Sequence, residues 1–226
     1  MGYAAVWIEG VFVAAVVGAA AATGLCLHWW QEERICGAAC LAAVAAWLAR
    51  ADVDLPLRLK RMGAQALAPL PPGAKAVECC DNPALRALGP LPASVLCLLC
   101  ERCPHLRQLG ALPAGMTFLG MNSVGLTSLP ALPPALHTLM CWNLGVLRAL
   151  PALPSALLYV HLSNLTLQAN LPALPASLRV LKLDACVLQC LGPLPAALGR
   201  VRVNSSSCAK PSPVCRFRRV PARFKA

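Results

Sequence analysis

A Leu-Pro pair returns along this chain at a nearly constant interval. Leu70, Leu91, Leu112, Leu132, Leu153, Leu174 and Leu194 each open one, so the spacings are 21, 21, 20, 21, 21 and 20 residues. Three further columns stay apolar once the units are aligned on that pair. The fifth holds Ala74, Val95, Met116, Leu136, Leu157, Leu178 and Leu198. The eighth holds Val77, Leu98, Leu119, Leu139, Val160, Leu181 and Val201. The tenth holds Cys79, Cys100, Met121, Cys141, Leu162, Leu183 and Val203. Around the eighth and tenth columns the chain alternates in and out, the period-two pattern of a strand with one buried face. A unit this short leaves no room for a long return helix. Each is expected to give one strand to a parallel sheet and to return through an extended, Pro-bounded segment. One such unit cannot bury its apolar face alone, so about seven must stack.

A fixed period of this length built on Leu-x-x-Leu-x-Leu is the signature of a leucine-rich repeat. The expected fold is therefore a leucine-rich-repeat solenoid over residues 70–206, with short parallel β-strands and extended returns, preceded by N-terminal α-helices. The pattern L-P-x-x-L-x-x-L-x-[VCL]-x-x-N, with its doubled LPALP, resembles the short bacterial-type leucine-rich repeats of the YopM and IpaH effector proteins. The resemblance implies the fold and a surface that recognises something; it does not name the partner, because the repeat is widely reused. The chain departs from that pattern in its asparagines. Asn82, Asn143 and Asn164 fall near the Asn column, while Cys103 and Cys186 substitute elsewhere. The ubiquitin-ligase domain of the IpaH-like members is expected to be missing, since about twenty residues follow Ser206. A Cys-x-Asp triplet like theirs occurs at Cys79, Cys80 and Asp81, but Cys79 occupies an inward-facing column and is not read as an active site.

Ahead of the repeats, residues 1–34 are read as a hydrophobic helix. The stretch that opens at Gly10 and closes at Leu27 carries no charge, and as a helix it would measure roughly 27 Å, about the thickness of a bilayer's hydrocarbon core. Trp7, Trp29 and Trp30 flank it, where interfacial aromatics belong. It is expected to anchor the chain in a membrane, with a buried Ala-rich cap helix as the competing reading. Arg50, Arg58, Lys60 and Arg61 would then place the repeats on the cytoplasmic side. The alternative localisation is soluble and cytoplasmic. Residues 35–69 are read as a helical cap, with its helix over 35–49, followed by a basic connector over 52–67. Residues 207–226 are read as a basic flexible tail; a basic-aromatic patch for anionic lipid or nucleic acid, built on Arg216, Arg218, Arg219, Arg223 and Lys225, competes with that reading.

The chain carries a formal net charge of +11, and beyond Glu101 its only acidic residue is Asp184. That imbalance favours an acidic partner and says little about fold. Thirteen Cys is an odd count in a chain whose start lacks a basic n-region, and several stand in core columns, so reduced thiols are expected. The triplets at Asn164 and Asn204 that match a glycosylation acceptor are read as chance. Cys97, Cys100 and Cys103 have metal-like spacing, yet strand alternation sends Cys97 and Cys100 to opposite faces, so no metal is assigned. Cys36 with Cys40, and Cys186 with Cys190, are read as packing residues; Cys208 and Cys215 would pair only in an oxidising compartment. The histidines (His28, His105, His137, His161) have no nucleophile beside them, and there is no phosphate-binding Gly-rich loop. No catalytic residue, cofactor or enzymatic activity is assigned.

Binding is the remaining function class. Columns seven, nine and eleven flank the core columns and should line the concave face of a solenoid. The first units present Glu78 and Glu101 there, and the last also present Asp184 and Asn204. The candidate partner-binding residues are Phe118, Asn122, Met140, Trp142, Tyr159, His161, Lys182, Arg200 and Arg202. Trp, Tyr and Arg dominate interfaces, and a solvent-facing Trp and Tyr on neighbouring strands are costly to leave bare. The competing reading has both rings packed by neighbours or by the tail. The expected function is a non-enzymatic recognition scaffold for a protein with an acidic surface. A substrate adaptor of a ubiquitin ligase and a nucleic-acid or lipid binder through the tail are the alternatives, with nucleic acid disfavoured.

Overall fold

The computed structural model of the chain describes residues 3–8, 11–16, 56–67 and 70–208. Its central feature is an eight-stranded sheet made of Leu57–Lys60 (β3), Ala76–Cys80 (β4), Cys97–Cys103 (β6), Phe118–Val124 (β8), Thr138–Trp142 (β9), Tyr159–Ser163 (β10), Val180–Asp184 (β11) and Arg200–Asn204 (β13). The strands lie in sequence order and every neighbouring pair is parallel. Their register matches residues one repeat apart, so Tyr159 stands beside Thr138 and Val180, and His161 beside Met140 and Lys182. The result is a leucine-rich-repeat solenoid: each unit is one strand and one return.

Burial follows the repeat columns. From the first aligned unit through the sixth, every fifth, eighth and tenth column residue is buried, while Leu198, Val201 and Val203 of the last unit are partly exposed. Leucines of the return segments, among them Leu85, Leu106, Leu126 and Leu147, close the core from the other side. Short strand pairs on that side, Ala87–Leu88 (β5) with Gln108–Leu109 (β7) and Val187–Leu188 (β12) with Ser207–Cys208 (β14), knit neighbouring returns together. The Leu-Pro pair has a local job. In each unit the Pro carbonyl accepts from the N–H three residues on, as in Val95 to Pro92 at 3.0 Å and Leu136 to Pro133 at 3.1 Å. A Pro there gives up an N–H that this turn does not use.

The chain leaves each strand through a left-handed residue. Arg61, Asp81, Arg102, Ser123, Asn143, Asn164, Ala185 and Ser205 have φ between 48 and 56°. Asp and Asn tolerate that conformation and the others are strained by it. In several units the turned N–H reaches the next strand's carbonyl, as in Asn164 to Asp184 at 2.8 Å and Ala185 to Asn204 at 2.8 Å. Asparagines thus serve two columns. Asn143 and Asn164 take the left-handed position, whereas Asn82 stands one residue later, buried, with Cys103, Cys186 and Ser206 as its counterparts. Those counterparts also turn inward to backbone carbonyls: Cys103 Sγ lies 3.4 Å from Glu101 O, and Ser206 Oγ 3.1 Å from Leu183 O.

The sheet reaches one strand further toward the N-terminus than the seven aligned units. β3 falls in the stretch expected to be a connector, with Leu57 and Leu59 buried in the eighth and tenth columns and Arg61 at the left-handed position. No Leu-Pro pair announces this unit at the proper spacing, so alignment on that pair passes over it. Another difference lies at the start of the chain. Tyr3–Ile8 (β1) and Val11–Val16 (β2) pair as an antiparallel hairpin, with Ile8 beside Val11, where the opening of a helix was expected. Val and aromatic residues favour strands over helices, and the count of uncharged residues does not see that preference. Among the described residues no helix is long and apolar enough to cross a membrane. The rest of the stretch between Gly10 and Leu27, the helix expected over 35–49 and the tail beyond Cys208 lie outside the described residues.

Candidate partner-binding face

Strand alternation turns one set of side chains into the core and the other onto an open face. Columns seven, nine and eleven take the open face. All nine candidate residues lie there, partly exposed from Phe118 to Lys182 and exposed at Arg200 and Arg202. Neither Trp142 nor Tyr159 belongs to the leucine core.

Five of the nine converge on β9, β10 and β11. His161 is the hub. Its ring meets Trp142 edge-on at 5.4 Å and 80°, and Tyr159 at 6.5 Å and 81°. Its Nε2 lies 2.9 Å from Asp184 Oδ2 on the next strand. Lys182 extends along the face until its Nζ stands 5.4 Å from the centre of the Tyr159 ring. Met140 is the register neighbour of His161 and completes the group. Edge-to-face contacts of this kind add about 0.5–1.5 kcal/mol beyond area burial, and a cation over Tyr adds about 0.5–1 kcal/mol at an exposed site. The cluster is therefore a fixed shelf. One polar atom in it is unsatisfied: Trp142 Nε1 is buried and finds no acceptor.

The other four candidates flank the shelf. Asn122 is the register neighbour of Trp142 and accepts from Asn143 Nδ2 at 3.0 Å, which in turn accepts from Asn164 Nδ2 at 2.9 Å. This surface ladder edges the face. Phe118 sits further on, over Gly120: a Cβ on Gly120 would come within 2.8 Å of Leu99 Cδ1 and 3.1 Å of Phe118 Cε1. The missing side chain lets Leu99 and Phe118 lie close to the sheet, forming an apolar patch beside Met140. Arg200 and Arg202 stand on the outermost described strand at the far end. Leu99, Gly120 and the pairing role of Asp184 were absent from the sequence-derived set. Column membership would have found the first two. The Asp184 contact is diagonal, from the eleventh column of one unit to the ninth of another, and needs the sheet's geometry.

The opposite end of the face is occupied by ion pairs. Arg58 meets Glu78 at 2.9 Å, Lys60 meets Asp81 at 3.5 Å, and Arg102 bonds Asp81 and stands 3.6 Å from Glu101. The Arg102 guanidinium holds the Asp81 carboxyl down to about 2. Cys80 lies among these groups, its thiol raised first by burial and then by Glu101 and Glu78. Beneath the sheet, Cys79 is raised chiefly by its hydrogen bond with Cys100, and Cys103 by its hydrogen bond with Cys79 and by burial. Cys141 is pushed up to about 12, first by burial and then by Cys186. Raised in this way, the buried thiols of Cys79, Cys103 and Cys141 are held protonated. Cys97 stands on the open face while Cys100 and Cys103 are buried, and the described residues hold no group of three ligands suited to a metal ion.

No family model matches the sequence, and no curated protein matches it. The chain is similar to a solved structure described as "Novel Molecular Architecture of YopM-a Leucine-rich Effector Protein from Yersinia pestis". The identity is 23%, the match covers 84% of this chain and 73% of that one, and the TM-score is 0.39. The fold is read from this chain's own register and columns.

Proposed function

We propose that this chain is a non-enzymatic protein-recognition scaffold whose partner docks on the open, strand-lined face of the solenoid. The observation that carries the reading is the shelf of Trp142, Tyr159 and His161. Two large aromatic rings are held in place on the side of the sheet away from the core, beside a buried indole N–H with no acceptor. Rigid, partly exposed aromatics lose little entropy on binding and commonly act as interface anchors. An acidic partner surface fits the cations at the C-terminal end of the face.

The test is quantitative co-purification with the full chain against its Trp142→Ala/Tyr159→Ala double variant, both checked for unchanged thermal unfolding. Proteins retained by the parent and lost by more than about tenfold on the double variant support the reading. A partner set unchanged by the double variant ends it.

A further inference from the structure

Cations gather at the C-terminal end of the open face without a carboxylate partner among the described residues. Lys182 and Arg202 are register partners on β11 and β13, so their side chains leave the same face side by side. Arg200 lies two residues before Arg202 and shares that face, and exposed Arg179 immediately precedes β11. Like charges on directly neighbouring positions destabilise a sheet. The first units avoid this by interleaving carboxylates, as the pairs Arg58–Glu78 and Lys60–Asp81 show. At the other end the one carboxylate, Asp184, is already held by His161 and by Asn204 Nδ2 at 2.8 Å. Among the described residues no carboxylate lies within ion-pair distance of Arg179, Arg200 or Arg202. Lys182, Arg200 and Arg202 are all donors. The end of the face nearest them is short of acceptors.

Four strands away the same face changes character, to Phe118 and Leu99 over Gly120, next to Met140. Neighbouring strands lie about 4.8 Å apart, so β13 and β8, separated by four steps, are roughly 19 Å apart. About six residues of extended chain cover that distance at ~3.3 Å each.

We propose that the partner contributes a short segment with two ends of different chemistry: a cluster of Asp or Glu over Lys182, Arg200 and Arg202, and an apolar side chain about six residues away against Phe118 and Met140. The proposal rests on the reading of this face as a docking surface and adds the composition and placement of what docks. A protein segment fits better than a nucleic acid. The cations without a carboxylate partner cluster at one end of the face, its middle is aromatic and apolar, and Arg58 and Lys60 at the far end are already paired with Glu78 and Asp81, whereas a phosphate backbone needs available cations along its whole path.

The experiment is selection of random 12-residue phage-displayed peptides on the full chain, followed by affinity measurements on synthetic copies. Selected peptides should carry an acidic cluster about six residues from a Leu, Phe, Met or Trp. Lys182→Glu with Arg202→Glu should weaken them at least tenfold, and replacing the peptide's acidic residues by Lys should restore binding to that double variant. Such a charge-reversal rescue excludes misfolding as the cause. Peptides that lose binding on Trp142→Ala but show no acidic cluster would overturn this proposal and leave the docking face standing. No selected peptides, or peptides insensitive to Trp142→Ala, would overturn both. A single-stranded oligouridylate bound more tightly than every peptide, with loss on the same charge-reversed variant, would also overturn it.

Discussion

Asn82 is the one buried polar side chain among the described residues, and it is fully used. Its Oδ1 accepts from Met62 N at 2.7 Å, and its Nδ2 donates to Leu59 O at 2.7 Å and Cys80 O at 3.0 Å. It ties the β3 unit to the next one. Asn82→Ala strands these backbone groups and should destabilise by about 2–3 kcal/mol, read as a lower urea midpoint at unchanged slope. The left-handed column offers the opposite case. Ala185 sits at φ 51° with no side-chain compensation. A non-Gly residue there is strained by about 1 kcal/mol or more, so Ala185→Gly should cost little or stabilise slightly, whereas Gly at an ordinary strand position should destabilise. Asp81 gives a pH test. Its folded value of about 2 lies below its ordinary 3.8, so its contribution is present above pH 4 and lost as pH falls through 2. Parent and Asp81→Asn stabilities should therefore differ near neutrality and converge between pH 4 and 2 in a urea titration.

At the scale of the element, each strand is held by two devices that the repeat supplies in fixed places. In the seven aligned units a Pro-started turn leads in, and a left-handed residue stands near the strand's end, inside β6 and β8 and just past the others. The Pro removes unfolded-state freedom where the folded backbone already suits it. Pro154, whose carbonyl accepts from Leu157 N at 3.2 Å, is a plain example. Pro154→Ala should cost about 0.4–1 kcal/mol in denaturant unfolding, with the fold retained. Leu139, buried in the middle strand β9, belongs to a different class. Leu139→Ala leaves a cavity between two packed neighbours and should cost about 2–5 kcal/mol in the same measurement.

Over the whole molecule, stability is passed from neighbour to neighbour, because each strand pairs only with the units beside it. The ends are unequal. Toward the N-terminus, β3 has buried Leu57 and Leu59 and its charges are paired. Toward the C-terminus, β13 has partly exposed Val201 and Val203, and among the described residues its arginines have no carboxylate partner. Amide exchange should accordingly be fastest in β13, slower in β3, and slowest in β8, β9 and β10. Uniform exchange across the sheet would mean that the solenoid opens only as one unit. The same asymmetry grades the open face from paired charge, through aromatics, to cations with no carboxylate partner among the described residues, and so gives the solenoid a direction.

The sequence alone determined the parallel solenoid, its core columns and the set of side chains that share the open face, because a fixed period and strand alternation place every residue by counting. Counting failed where the period is unannounced, at β3. It also left the asparagines in one irregular column, which the backbone divides into a left-handed position and a buried one. The tertiary structure decided how the shared side chains meet. Whether His161 joins Trp142, Tyr159 and Asp184, or whether Arg202 stands beside Lys182 uncompensated, depends on contacts between units more than on any unit's own pattern, and such contacts exist only once the coils are stacked.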